Sequence, residues 1–239
     1  MKSRLGALIA GVFSALSVSV AQAAVLEMDY VAEFSGAANP SGSAPWLRAK
    51  FEDTGANTVQ LTLTSLLSGS GEFVSGFYFN LSPVLSPLVI NYLPGSSTGP
   101  NTTGVTSASN CCKADGDGFF DLLLSFDTSA GAGRFDNGDV SVFSLTVTGL
   151  SVATFNSLSE NGPAGKTGFL SAAHVQGIAP TQCNDPSESE VPGQNVCTSG
   201  WVYAQVRRPP VEIPEPSALL LSGVALAGFA ALRRRRHEG

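Results

Sequence analysis

Apolar and polar residues alternate with a period of two in several segments of the chain, and the clearest example is Asn57 to Thr64. Val59, Leu61 and Leu63 occupy one parity there, while threonine and glutamine occupy the other. Successive side chains of a β-strand point to opposite faces, so this pattern predicts a strand with one buried face.

Eight further segments carry an apolar or alternating pattern, and clusters of Gly, Asn, Pro and Ser separate them. No convincing helical period of 3.6 residues occurs before Ser217. Nine strands without intervening helices predict an all-β chain folded as an antiparallel β-sandwich. The other eight predicted strands are Val25 to Phe34, Pro45 to Phe51, Glu72 to Leu81, Leu88 to Leu93, Phe119 to Phe126, Ser141 to Val147, Gly168 to Gln176 and Trp201 to Val206.

Turn-forming residues punctuate this order in three places. Leu93 to Asn110 and Thr181 to Gly200 are predicted to be long loops, and long loops on a sandwich are common sites of binding surfaces. The Asn-Gly pair within Asp136 to Asp139 predicts a tight hairpin turn.

The N-terminus has the composition of a secretory signal peptide. Lys2 and Arg4 precede an apolar run from Leu5 to Val20, and Ala21 and Ala23 form the small-x-small pattern that signal peptidase accepts. The run has no polar stripe at helical spacing, which argues against a buried amphipathic helix. We therefore expect export through the general secretory pathway, with cleavage after Ala23.

Between Ala24 and Ile213 the chain has 7 Lys and Arg against 17 Asp and Glu, a net charge of −10. Nucleic-acid binding depends on clustered cationic side chains, so this charge predicts no nucleic-acid partner. An acidic surface suits an exported protein and also one that meets divalent cations, and the charge alone does not distinguish them.

Four cysteines lie in this exported region, where disulfides can form. Cys183 and Cys197 would close a short polar loop, and we favour that pairing, which would contribute about 3 kcal/mol by the loop-entropy estimate. The neighbours Cys111 and Cys112 could bridge each other, pair with the other two cysteines or stay reduced. Zinc is disfavoured because the adjacent pair lacks tetrahedral-site spacing and His174 is the only histidine in this region.

A segment rich in Asp and Gly offers a candidate cation site. Asp115, Asp117 and Asp121 could direct several carboxylates toward one Ca²⁺ ion. The full calcium-loop signature fails in both registers, so the competing interpretation is a glycine-rich turn before the next strand. We keep Ca²⁺ as a candidate ligand and predict no other cofactor.

No nucleophile elbow, metal-binding histidine pair or phosphate loop occurs between Ala24 and Ile213. A Ser-His-Asp relay would have to use His174, whose alternating surroundings are typical of an ordinary strand residue. We therefore predict no catalytic residues and a protein that is not an enzyme. Aromatic side chains can stack on sugar rings if they line one exposed face, although core packing is their commoner role. The candidates are Trp46, Tyr78, Tyr92, Trp201 and Tyr203.

An apolar run from Ser217 to Leu232 precedes four arginines near the end of the sequence. Its 16 residues would form about 24 Å of helix against about 30 Å of membrane hydrocarbon, so the run is short for a permanent span. It can still insert, with the arginines held on the cytoplasmic side. The cluster consists of Arg233, Arg234, Arg235 and Arg236.

Pro214, Glu215 and Pro216 stand directly before this run. A Pro-Glu-Pro motif, a small-residue-rich apolar helix and terminal arginines together resemble the PEP-CTERM protein-sorting domain of Gram-negative bacteria. The resemblance implies that exosortase, a membrane enzyme, recognises the motif and processes the tail during delivery to the surface or matrix. It also implies that the protein comes from a bacterium that makes exopolysaccharide, biofilm or floc. The body is loosely similar to PEP-CTERM proteins with a cohesin-like sandwich.

These features divide the chain into a signal peptide (residues 1–23), a β-sandwich domain (24–206), a Pro-rich spacer (207–213) and a sorting segment (214–239). We expect transient anchoring in the inner membrane, followed by arrival at the cell surface or extracellular space. The expected role is that of a structural, adhesive or polysaccharide-associated matrix component. The alternative is a secreted hydrolase that acts on exopolysaccharide through a pair of carboxylates.

Replacing Pro214, Glu215 and Pro216 with alanine should leave export intact but trap the protein in the inner membrane, because exosortase would no longer recognise its substrate. Fractionation into inner membrane, outer membrane and medium, followed by immunoblotting, measures the outcome. A Ser217→Ala variant, which leaves the motif intact, is the control. Normal arrival of the triple variant at the surface would contradict the sorting interpretation.

Overall fold

A computed structural model describes residues 23–115, 118–160 and 168–207. These ranges contain eleven strands and three short 3₁₀ helices, the latter at Pro94–Ser96, Val152–Phe155 and Pro186–Glu188. No helix within them is long and apolar enough to cross a membrane. The strands are β1 (Val25–Glu33), β2 (Leu47–Gly55), β3 (Thr58–Ser65), β4 (Phe73–Phe79), β5 (Val89–Tyr92), β6 (Gly104–Lys113), β7 (Phe119–Ser125), β8 (Phe135–Asp136), β9 (Val140–Thr146), β10 (Ser171–Thr181) and β11 (Cys197–Val206).

The strands pair antiparallel along one continuous path, β5-β9-β3-β2-β1-β11-β10-β4-β7-β6, and β8 pairs with β4. The path curls so that β1 and β2 face β4 across the core. Tyr30 packs edge-on against Phe77 with 5.6 Å between ring centroids, and Phe51 packs edge-on against Phe79 at 5.2 Å. The predicted antiparallel sandwich is confirmed, as a nearly closed sheet in which one hydrogen-bonded path links both layers.

The core is rich in phenylalanine, and Phe77 lies at its centre. Its ring contacts four others, those of Tyr30, Phe79, Phe126 and Phe135, at centroid distances between 5.5 and 6.3 Å. All five side chains are buried. Burying each such side chain stabilises the fold by about 2–3 kcal/mol relative to exposure, so this cluster holds the two layers together.

Two linked hydrogen bonds between buried groups cross the core beside these rings. The Tyr30 hydroxyl lies 2.6 Å from Ser171 Oγ, and the Ser171 hydroxyl donates to the Tyr78 carbonyl at 2.6 Å. Burial raises the pKa of Tyr30 far above its usual value, although the hydrogen bond with Ser171 opposes the shift. The phenol therefore stays protonated and ties β1 to β10 and β4.

The nine predicted strands are confirmed with ends that shift by up to five residues, and two strands were not predicted. The predicted loop from Thr181 to Gly200 is shorter than expected, because β11 begins at Cys197. The predicted loop from Leu93 to Asn110 is wrong in its second half, where β6 pairs with β7 at the edge of the sheet. Cys112 is the one buried residue of β6. An edge strand exposed on both faces has no buried side to impose an alternating pattern, which is why the sequence resembles a loop.

The predicted hairpin at Asp136 to Asp139 is also wrong, although the turn exists. The Asp139 N–H donates to the Asp136 carbonyl at 3.1 Å, and Gly138 has a φ of +81°. The flanking strands do not pair, however, because β8 pairs with β4 while β9 pairs with β3 and β5. The turn passes the chain from one layer to the other.

Both pairs of cysteines form disulfides. The favoured bond between Cys183 and Cys197 is present and closes the loop between β10 and β11. Cys111 and Cys112 bridge each other, which was one of the open alternatives. The described residues contain no free cysteine.

Phe51→Ala should lower the free energy of unfolding by about 3–5 kcal/mol, because it opens a cavity between the layers. The Phe51 ring stacks on Phe155 at 4.1 Å as well as meeting Phe79. Urea denaturation followed by circular dichroism measures the change. Val89→Ala on exposed β5 is the control and should change stability by about 0.5 kcal/mol or less. Equal effects of the two substitutions would contradict the core assignment.

Candidate binding surface

A row of partly exposed aromatic side chains lies on the outer face of the sheet, opposite the core. On β11, Val202 and Ala204 point into the core, so Trp201 and Tyr203 point outward. β10 and β4 each add one ring, and the segments after β1 and before β10 add two phenylalanines. We call this surface the aromatic strip; it consists of Phe34, Tyr78, Phe169, His174, Trp201 and Tyr203.

One half of the aromatic strip is a group of three rings. Phe169 stacks on Tyr203 with 4.5 Å between centroids, and Phe34 packs against Phe169 at 4.8 Å. Phe169 precedes β10, yet its backbone is fixed on both sides. Its N–H donates to Ser159 Oγ at 2.9 Å, and its carbonyl accepts from the buried Asn80 amide at 3.0 Å. These bonds hold the ring in place outside any strand.

The other half is built around Trp201. The His174 imidazole stacks on the indole at 4.4 Å with 8° between the planes, and Tyr78 meets the indole edge-on at 5.3 Å. Ala172 lies between the halves, in register with Tyr203 on β11 and with Tyr78 on β4. It is fully buried, so its small side chain leaves room for the rings to close over it.

An open groove of about 680 Å³ adjoins the first half of the strip. Aromatic rings form much of its lining, and amide and carboxylate groups contribute hydrogen-bonding atoms. Its aromatic lining residues are Phe34, Trp46, Phe169 and Tyr203, and its polar ones are Glu33, Asn39 and Asn184.

The polar wall of the groove is held by the disulfide-closed loop. Asn184 follows Cys183 directly, and its amide donates to Glu33 Oε2 at 3.0 Å. The same carboxylate accepts from the backbone N–H groups of Ser35 at 2.6 Å and Gly36 at 3.2 Å. The predicted disulfide therefore positions one side of the groove.

Two glycines allow the loops to approach this wall closely. A Cβ atom at Gly200 would lie 2.0 Å from the Ala38 carbonyl oxygen, and the Ala38 N–H donates to the Ser199 carbonyl at 3.0 Å. Gly36 has a φ of +86°, and a Cβ there would lie 2.9 Å from Asp185 Cβ. Larger residues at either position would push the loops away from β11.

His174 lies in β10, as the alternating pattern predicts, and its side chain belongs to the strip. Its Nδ1 atom is 3.0 Å from Ser75 Oγ and 3.4 Å from Gln176 Nε2. Burial lowers the pKa of His174 to about 4, and the negative charge of Glu190 opposes part of this shift. The imidazole is therefore neutral at pH 7 and a weak base.

The predicted aromatic candidates separate into two sets. Tyr78, Trp201 and Tyr203 come together in the strip, and Trp46 lines the groove although it is largely buried. Tyr92 lies elsewhere, on β5, where its hydroxyl donates to the Gly99 carbonyl at 2.5 Å. Sequence analysis missed two members, Phe34 and Phe169. A pattern in the sequence did indicate that the outer face of the sheet packs against other side chains, because β11 carries apolar residues on both of its faces.

The structure describes two of the three candidate calcium ligands, Asp115 and Asp121. Asp121 is buried, and its two oxygens accept from the Leu81 and Asn110 N–H groups at 2.9 and 2.8 Å. Asp115 lies in a turn with a φ of +45°, and Asp117 is outside the described residues. The described ranges contain no group of three His, Cys, Asp or Glu side chains that could hold a metal ion. Calcium binding stays a prediction.

The end of the chain, beyond the described residues, matches a known protein family. The family model of the PEP-CTERM protein-sorting motif matches residues 212–236, beyond β11. The chain is a PEP-CTERM protein. The PEP-CTERM motif implies processing by exosortase. It also implies secretion with a transient C-terminal membrane anchor before arrival at the surface or extracellular space. No curated protein and no solved structure matches the chain.

The PEP-CTERM match includes the predicted sorting motif and arginine cluster, Pro214 to Pro216 and Arg233 to Arg236. These residues lie outside the described ranges, as do the Pro-rich spacer beyond Arg207 and all of the predicted signal peptide except Ala23. The signal cleavage at Ala21 and Ala23 stays a prediction.

Lowering the pH from 7 to 5 should destabilise this PEP-CTERM protein by about 2 kcal/mol through His174. The pKa of His174 is about 4 in the folded protein against a usual value of 6.5, so between these values the unfolded chain takes up a proton that the folded protein does not. Stability therefore falls as the pH drops through 6.5, and the loss is complete below about 4.

Urea unfolding at the two pH values measures this loss, and a His174→Gln variant serves as the control. The variant should lose about 2 kcal/mol less than the wild type between pH 7 and 5. In an NMR titration, the imidazole signal that the wild type has and the His174→Gln variant lacks should show a midpoint near 4. A midpoint near 6.5 would contradict the burial of the ring in the strip.

Proposed function

We propose that this exported PEP-CTERM protein binds polysaccharide at the cell surface or in the matrix, without turnover, through the aromatic strip and its groove. The observation that carries the proposal is the group of six partly exposed rings on one face of the sheet, four on the adjacent strands β4, β10 and β11 and two in the segments after β1 and before β10. Exposed apolar patches on exported proteins mark interaction sites, because they otherwise favour aggregation.

The chemistry of the strip suits a chain of sugar rings. Pyranose rings have an apolar C–H face that packs on aromatic side chains, and their hydroxyls need hydrogen-bonding partners at the edges. Trp201 and Tyr203 are two residues apart on one strand, so their rings leave the backbone about 7 Å apart along the sheet. Asn39, Asn184 and Glu33 supply amide and carboxylate groups in the groove. An elongated surface of this kind favours a polymer over a single sugar.

The polar groups of the surface favour binding over hydrolysis. The imidazole of His174 is a weak base because burial lowers its pKa to about 4. Both oxygens of Glu33 already accept hydrogen bonds from neighbouring groups, including backbone N–H groups. We therefore propose that the protein retains its ligand unchanged.

Trp201→Ala and Tyr203→Ala should each weaken polysaccharide binding by about tenfold, since the loss of one stacking ring costs about 1.4 kcal/mol. Affinity electrophoresis of the detergent-purified full chain in gels containing exopolysaccharide from the producing cells measures the change. Val89→Ala is the control and should bind like the wild type, and thermal unfolding checks that each variant is folded.

Unchanged binding by both aromatic variants would contradict the proposed site. Release of new reducing ends from the polysaccharide during incubation would instead favour the hydrolase alternative, because binding alone produces none.

A further inference from the structure

We propose that the polysaccharide taken by the aromatic strip is cationic, a polymer of amino sugars that carries free amino groups. The inference rests on the proposed polysaccharide binding and specifies the class of ligand. It follows from the position of carboxylates around the strip and from the positions of the cationic side chains.

Three carboxylates lie at the groove end of the strip. Glu33 and Gly36 both line the groove. Asp185 and Glu188 lie beside Gly36: a Cβ atom added to Gly36 would lie 2.9 Å from Asp185 Cβ and 3.3 Å from Glu188 Cγ. Among the described residues, none of these carboxylates forms an ion pair with Lys or Arg. Glu33 and Asp185 accept hydrogen bonds from neighbouring uncharged groups, so the negative charges stay unneutralised by Lys or Arg within the described residues.

A fourth carboxylate lies at the Trp201 end. Glu190 acts electrostatically on His174, and it accepts hydrogen bonds from the hydroxyls of Thr198 and Ser199 at the start of β11. Burial alone would raise the pKa of Glu190, but these hydrogen bonds outweigh it and hold the pKa below its usual value. Glu190 is therefore ionised at pH 7, and both halves of the strip adjoin negative charge.

Most cationic side chains of the described chain are engaged elsewhere. Arg48 pairs with Asp29 at 2.7 Å, Lys50 pairs with Glu52 at 2.6 Å, and Arg207 pairs with Glu27 at 3.2 Å. These three pairs lie on β1 and β2 and at the end of β11, away from the loops that line the groove after β1 and between β10 and β11.

The two other described cations do not reverse the charge of the strip. Arg134 lies over the Phe73 ring at 3.9 Å. Lys113 is exposed on the edge strand β6, and it is one cation against the four carboxylates around the strip. Among the described residues, the charge facing a ligand is therefore negative.

An amino-sugar polymer matches both properties of this surface. Its ring faces stack on the aromatic side chains, and its ammonium groups meet the carboxylates at the edges. An acidic polysaccharide would stack equally well but would bring its carboxylates next to Glu33, Glu188 and Glu190, where like charges repel. A basic peptide would meet the carboxylates and could place single cations over the rings, but it lacks the flat apolar C–H faces that a row of sugar rings presents.

Isothermal titration of the detergent-purified full chain with four hexamers tests the inference. The probes are β-1,4-linked glucosamine, its fully N-acetylated form, galacturonate and lysine. At about 20 mM salt, we expect glucosamine hexamer to bind about tenfold more tightly than the N-acetylated hexamer, and about 0.5 M salt should remove most of the difference. Galacturonate and lysine hexamers should bind at least tenfold more weakly than glucosamine hexamer.

Equal binding of the three saccharides would overturn the charge inference and leave the proposed polysaccharide binding intact. Binding of none of the saccharides would contradict both. If lysine hexamer bound as tightly as glucosamine hexamer, the inference would fail because the surface would prefer any polycation equally and not amino sugars.

Glu188→Gln provides a matched test within the protein. No hydrogen bond or ion pair among the described residues uses the Glu188 carboxylate, so the substitution removes charge without disturbing the loop. It should weaken glucosamine hexamer by about threefold at low salt and leave the N-acetylated hexamer within about twofold. Glu52→Gln on β2 makes the same charge change away from the groove and should affect neither. Equal effects of both variants would overturn the inference.

Discussion

The packing of β4 against β1 and β2 is the contact on which the rest of the molecule depends. Phe77 and Phe79 fill the inner face of β4, and rings from both layers close around them. Because the side chains of a strand alternate, fixing Phe77 and Phe79 inward fixes Tyr78 outward. The aromatic strip is therefore positioned by the core beneath it. A shift of one residue in the register of β4 would turn Tyr78 inward and Phe77 and Phe79 outward.

Beneath the strip, β11 is apolar on both faces, which is unusual for an exposed antiparallel sheet. On β11, Trp201 and Tyr203 alternate with core residues that are also apolar. The rings reduce the cost of exposure by covering one another, since His174 lies flat on Trp201 and Phe169 lies nearly flat on Tyr203.

The alternating pattern predicted strands well wherever one face is buried, as at Val59, Leu61 and Leu63. It failed for β6, where nothing is buried except Cys112. For the strip, sequence analysis named Tyr78, Trp201 and Tyr203 as aromatic candidates but could not place them together. Their proximity depends on the register of β4 and β11 with β10, which is set by packing far apart in the sequence. Phe34 and Phe169 fall in predicted strands, but their place in the strip depends on hydrogen bonds to residues distant in the sequence, Trp201 and Asn80.

The antiparallel pairing of β1 with β11 places both ends of the sandwich at one pole. Met28 lies opposite Val206 there, while Glu33 lies opposite Val202 toward the groove loops. From Gly200, where those loops pack on β11, to Val206 is about 20 Å of extended strand. Because the sorting motif follows β11, a molecule held by its tail keeps Gly200 and the loops packed on it at the far end of that strand, and the strip runs away from the attachment point, from Tyr203 to Trp201.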